Sequence, residues 1–179
     1  MAAEGDIITG PAANLVWTIT VDGDSAVLTD ANGVTVAPKG GNENGIVQGD
    51  YDWSVVFADG TFQFQGTGED TVTLASNKGS GNKFRAYKNS TISGNPAGYP
   101  RDFTLYKLDG EPVEPTPEPE GDTAALVDLP ADGDTVVLYY PAGGKVMSSE
   151  RYTYTSSSGN SKDELVALDA EAADGALDV

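Results

Sequence analysis

A chain of 179 residues and 18.5 kDa has room for one ordinary domain or two small ones. Its 10 basic and 28 acidic side chains leave a formal charge of −18, so the molecule as a whole repels nucleic acid and anionic membranes. Histidine and cysteine are absent, which excludes Ser-His-Asp and Cys-His nucleophiles, a disulfide framework, and zinc held by imidazole or thiolate.

The opening, Met1-Ala-Ala-Glu-Gly-Asp6, lacks the basic and apolar regions of a signal peptide and reads as an internal point of a longer protein. Beyond it the apolar fraction is only 39%, with 22 Gly and 10 Pro, a balance that suits short strands joined by tight turns. The β-branched and aromatic runs Leu15–Val21, Ala26–Leu28, Val34–Val36, Trp53–Phe57, Thr61–Phe64 and Thr71–Leu74 read as strands. Phe103–Tyr106 and Thr135–Tyr140 read the same way. Asp22-Gly, Asn32-Gly, Asp59-Gly, Asp132-Gly and Gly143-Gly supply the turns. No apolar run approaches the roughly 18 residues of a membrane span, so no membrane insertion is expected. Glu111-Pro-Val-Glu-Pro-Thr-Pro-Glu-Pro-Glu120 cannot donate a full hydrogen-bond ladder and repels itself, which predicts an extended linker over 110–121. It separates residues 1–109 from residues 122–179. Ser156–Ser161 reads as a loop tip, and Lys162–Ala173, lacking a helical apolar stripe, as a strand pair or loop.

Aligned on their turns, Gly23–Gly33, Asp59–Asp70 and Gly133–Gly144 become copies of one unit: a strand, a Gly-containing turn and a second strand. Two units go on to an aromatic-led strand, Trp53-Ser-Val and Phe103-Thr-Leu. The unit from Gly133 lacks one, whereas Trp17-Thr-Ile stands unclaimed near the start. Ala172-Ala-Asp-Gly175 also matches Ala2-Ala-Glu-Gly5. The expectation is that 122–179 begins a next repeat and completes the same barrel as 1–109, within a tandem array.

Three such units resemble a β-trefoil of the ricin-B-like kind, over residues 7–109 and 122–179. Leu15-Val-Trp-Thr-Ile-Thr, Lys83-Phe-Arg-Ala-Tyr-Lys-Asn-Ser-Thr, Tyr99-Pro-Arg-Asp-Phe-Thr-Leu-Tyr-Lys and Gly133-Asp-Thr-Val-Val-Leu-Tyr-Tyr are similar to a tail repeat of secreted and cell-surface proteins of Gram-positive bacteria. Such repeats follow the catalytic domains of exported phosphoesterases and nucleotidases. The resemblance implies an all-β, trefoil-like barrel of short strands acting outside the cell without catalysis, and the matching ends of the chain make it a circularly permuted repeat. Ricin-type sugar sites carry Gln two residues before the aromatic. Leu15, Tyr51 and Arg101 stand there in this chain, so the resemblance carries no such pocket.

Charge is uneven. Residues 61–109 hold six of the ten bases (Lys78, Lys83, Arg85, Lys88, Arg101, Lys107) against four acids, a local net of +2, and the remainder nets −20. Aromatic residues interleave with these bases, a pattern able to grip an anionic or glycan ligand. Lys83, Arg85, Tyr87, Lys88, Tyr99 and Arg101 are the ligand-binding candidates. The competing reading is that the aromatics fill the core and the bases neutralise acidic loops. The pairs Asp22/Asp24, Asp50/Asp52 and Asp132/Asp134 offer oxygen ligands for Ca²⁺, or simply turn chemistry. Asn89-Ser-Thr91 matches a glycosylation pattern, and Trp17 and Trp53 read as core plugs.

The expected function is a non-catalytic accessory, adhesion or spacer module of an extracellular bacterial protein. A glycan or cell-surface polymer and neighbouring modules are its expected partners, with no metal, cofactor or catalytic residue. One alternative is a helper of a secreted nuclease or phosphoesterase that binds nucleic acid or another anionic polymer. Another is a fragment of a carboxylate-based hydrolase.

Overall fold

Alternating apolar residues, interrupted every few positions by Gly, Asn or Asp, give this chain many short strands. A computed structural model describes residues 7–9, 11–58, 60–80, 83–108, 123–126, 131–155, 159, 161–173 and 176–178. The expected linker 110–121, the Asp59 turn position and most of the Ser156–Ser161 tip lie outside the described residues. In chain order the strands begin with β1 (Ile7–Thr9), β2 (Trp17–Asp22), β3 (Ser25–Asp30), β4 (Val36–Pro38), β5 (Ile46–Gln48) and β6 (Trp53–Ala58). Next come β7 (Thr61–Gln65), β8 (Val72–Ser76), β9 (Lys83–Lys88), β10 (Thr104–Leu108) and β11 (Thr123–Leu126). The last are β12 (Asp134–Tyr140), β13 (Lys145–Thr155), β14 (Ser161–Asp169), β15 (Glu171–Ala173) and β16 (Ala176–Asp178). Helix among the described residues is limited to α1 (Asn89–Gly94) and single 3₁₀ turns. The chain is all-β, as its alternation predicts.

The three segments aligned on their turns make similar pairings. Each aromatic-led strand pairs with the first strand of one segment: Ala26↔Trp53, Phe62↔Phe103 and Val136↔Trp17. Each unit's first strand meets its second at Thr29↔Thr35, Gln65↔Thr73 and Tyr139↔Val146. Each then folds a hairpin, β4–β5, β8–β9 or β13–β14. Gly23, Gly60 and Gly133 enter the three first strands with φ of +59°, +76° and +79°, a backbone region costly for any residue bearing a Cβ.

Pairings followed from β12 through β13, β14, β9, β8, β7, β6, β3 and β2 return to β12. On its other edge β12 pairs with β10, which continues through β11 and β1 to β16 and β15. All these contacts are antiparallel except the parallel pair of β1 and β16.

One apolar cluster joins Trp17, Leu28, Trp53, Phe64, Phe84 and Leu105 to Val136, Leu138, Met147 and Leu165, residues from both sides of the Pro/Glu stretch. Both tryptophans are fully buried and use their one polar atom in the same way. The Trp53 indole N–H donates to the Val36 carbonyl at 2.9 Å, and that of Trp17 to the Met147 carbonyl at 3.1 Å. Burial without an unpaired donor makes each a strong anchor between units.

Candidate functional site

Strand β9 reads Lys-Phe-Arg-Ala-Tyr-Lys, and its pleat sends successive side chains to opposite faces. Phe84 and Ala86 enter the main core. Lys83, Arg85 and Tyr87 share the other face, which is also largely buried. Two elements cover it. Tyr99, just after the 3₁₀ turn at Pro96–Gly98, lies 4.7 Å from Tyr87 ring to ring, and Ile92 of α1 packs into the same small cluster. The hairpin of β13 and β14 covers the rest.

That hairpin supplies Glu164, only 1% exposed. Its carboxylate pairs with the Arg85 guanidinium at 2.6 Å and the Lys83 ammonium at 3.0 Å. Tyr152 and Tyr154, two positions apart on β13, stack at 5.8 Å with a 20° interplanar angle. The Lys83 ammonium lies 4.9 and 4.1 Å from their ring centres. Arg85 in turn sits 4.7 Å from the Tyr87 ring centre. Burial works against the guanidinium's charge, but Tyr87 and Glu164 beside it outweigh that and raise its pKa. Burial likewise pushes the Tyr87 phenol up to about 12, against the pull of Arg85 and a hydrogen bond with Asn77.

The six candidates therefore do not form one open patch. Lys83, Arg85, Tyr87 and Tyr99 come together, held by internal partners. Lys88 points to the opposite face of β9 from Arg85, and its backbone N–H donates to Asn44 Oδ1 at 2.7 Å. Arg101 is half-buried in the loop before β10 and makes no ion pair or ring contact with the others.

One aspartate of each of two pairs ties separate segments together, and Asp134 bonds within its own turn. Asp132 Oδ1 accepts from the Val21 N–H at 3.1 Å, and Asp50 Oδ1 from the Thr35 hydroxyl at 2.9 Å. Asp134 accepts from the Ala131 N–H and pairs with Lys107, both at 2.8 Å. Partial burial raises its pKa, but those two bonds prevail and the net shift is downward. Glu43 is also lowered, through its hydrogen bond with Lys39. Among the described residues no three carboxylates stand together as metal ligands. No described helix is long and apolar enough to cross a membrane.

Two surface cavities lie among the described residues. One, of about 300 Å³, is lined by Val47 and Gln48 of β5 and by Arg151, Thr153 and Asp163 of the β13–β14 hairpin. The other, of about 270 Å³, is lined by Val56, Ala58, Thr61, Gln63 and Asp102, with Gln63 Nε2 donating to Asp102 at 2.6 Å. Sequence reasoning missed Glu164, Tyr152, Tyr154, Arg151 and Asp163. The one available signal was alternation in Arg-Tyr-Thr-Tyr-Thr, hidden by its polar composition. Compared with protein-family models, curated proteins and solved structures, the chain matches none.

Proposed function

We propose that this chain is a non-catalytic module of an extracellular bacterial protein, a permuted β-trefoil barrel that binds a cell-surface or host glycan and sits among neighbouring modules. Support for the barrel comes from the threefold pairings and from the circuit of strands that returns to β12. Such closure protects the edges of short strands. Residues 122–179 share strand pairings and the main core with 7–108, which favours one module over two domains.

The observation that carries the non-catalytic reading is the state of the carboxylates. Among the described residues, Glu43 and Asp134 are the carboxylates with a resolved shift, and both are held ionised, opposite to what a general acid needs. The nucleic-acid helper loses support because Glu164 pairs with Lys83 and Arg85, the centre of the basic stretch.

Glycan arrays run beside glycoside and phosphoester hydrolysis assays test this reading. The expected result is glycan binding without turnover. Turnover abolished by changing a single carboxylate overturns it. For the shared barrel, residues 1–110 expressed alone are expected to be molten or insoluble, and rescued by residues 122–179 added in trans. Cooperative unfolding of 1–110 at the midpoint of the full chain contradicts it.

A further inference from the structure

The β13–β14 hairpin has two faces. Tyr152, Tyr154 and Glu164 lie on one, engaged with Lys83 and Arg85. Arg151, Thr153 and Asp163 lie on the other, and with Val47 and Gln48 they surround the cavity of about 300 Å³. Small-ligand sites begin at roughly this size.

This cavity holds opposite charges that are not paired with each other. Among the described residues the Arg151 side chain has no hydrogen-bond or ion-pair partner, and its Nη2 is shielded from water without an acceptor. A donor in that condition costs about 1–3 kcal/mol and is as closed to a ligand as to water, so it is the rest of the half-buried guanidinium that the cavity offers to a ligand oxygen. Asp163 is fixed by the Thr153 hydroxyl, which donates to Oδ1 at 2.6 Å, and its Oδ2 has no partner among the described residues. An anion drawn to Arg151 is repelled by Asp163, and a cation meets the reverse. A neutral ligand with adjacent donors and acceptors satisfies both.

Vicinal hydroxyls of a pyranose have that character. One hydroxyl donates to Asp163 Oδ2 while its neighbour accepts from the Arg151 guanidinium, and both bonds are charge-assisted. The exposed Gln48 amide offers another donor and acceptor, and Val47 an apolar contact for the ring's C–H face. We propose that the cavity between β5 and the β13–β14 hairpin is a subsite for one neutral sugar unit, with Arg151 and Asp163 as its polar contacts. This rests on the glycan-binding part of the proposed function and gives it a location.

The test is NMR of the full chain titrated separately with methyl α-glucopyranoside, methyl α-galactopyranoside and N-acetylglucosamine. At least one sugar is expected to shift the amides of Val47, Gln48, Arg151, Thr153 and Asp163 more than the rest. R151Q and D163N are each expected to weaken that binding by roughly tenfold or more while staying folded. If D163N fails to fold, R151Q carries the comparison. Shifts centred elsewhere, or no shift with any of the three, overturn the subsite. So does the same pattern produced by sulfate or by glycine, which marks an anion or zwitterion site. Arrays separate this failure from that of the broader reading. Wild type and R151Q binding an array equally leaves the module reading standing and removes the subsite, whereas no array binding by wild type removes both.

Discussion

The two faces of the β13–β14 hairpin carry similar residue types to opposite ends. On one, Glu164 is enclosed by Arg85 and Lys83, with two tyrosine rings beside the ammonium. On the other, Arg151 and Asp163 line the same cavity, and neither is the other's partner. The pleat alone separates them: Tyr152 and Glu164 face each other across the ladder, as do Thr153 and Asp163 one residue on. Counting bases along a segment therefore says little about which of them can reach a ligand.

The largest effect expected from breaking this contrast is at Glu164. E164Q leaves two cations largely buried without a carboxylate, and a loss of about 3–5 kcal/mol is expected in urea unfolding. A loss below about 1 kcal/mol means that the cluster is loose and the basic stretch is open.

The same buried face predicts a pH dependence at its Tyr87 end. The Tyr87 phenol titrates near 12 when folded and near its ordinary value of 10.0 when unfolded. Its contribution is complete below pH 10 and is lost as pH rises through 12. Wild type is thus expected to lose about 2–3 kcal/mol relative to Y87F between those limits, read from unfolding at fixed pH values. Parallel curves contradict the burial of the hydroxyl.

Lys83 sharpens the comparison at a smaller scale, since its side chain is more exposed than that of Arg85. K83M keeps the apolar stem, removes one ion pair and the ring contacts, and is expected to cost about 1–2 kcal/mol. The smallest effect belongs to the opposite face. D163N is expected to change stability by no more than about 0.5 kcal/mol, because Asp163 is in no internal ion pair, and R151Q to leave stability level or raise it, because it removes a buried donor that has no acceptor.

What the sequence made legible follows from local physics. Phe62/Phe64 alternation, the turn glycines and the aromatic starts of β2 and β6 each act within one or two strands, so the all-β class could be read directly. β9 and the outer half of β13 were harder, because Lys-Phe-Arg-Ala-Tyr-Lys and Arg-Tyr-Thr-Tyr-Thr present polar residues on a face that another part of the chain then covers. α1 was missed too: Asn89-Ser-Thr-Ile-Ser-Gly94 has no apolar stripe, and its one buried side chain, Ile92, packs beside Tyr87. The local net of +2 over residues 61–109 suggested an open basic patch. The carboxylate that neutralises its centre comes from position 164, brought there by the pairing of β14 with β9. Gln48, Arg151 and Asp163 meet for the same long-range reason, and no local pattern announces them.

A double-mutant cycle on R85M and E164L measures most directly whether the basic stretch is held from within. Unfolding free energies of wild type, both single variants and the pair give one coupling energy. The enclosed cluster predicts a double variant close to wild type in stability and a coupling well above about 1 kcal/mol. Losses that add to within about 0.5 kcal/mol contradict it and return Arg85 to the ligand-binding candidates.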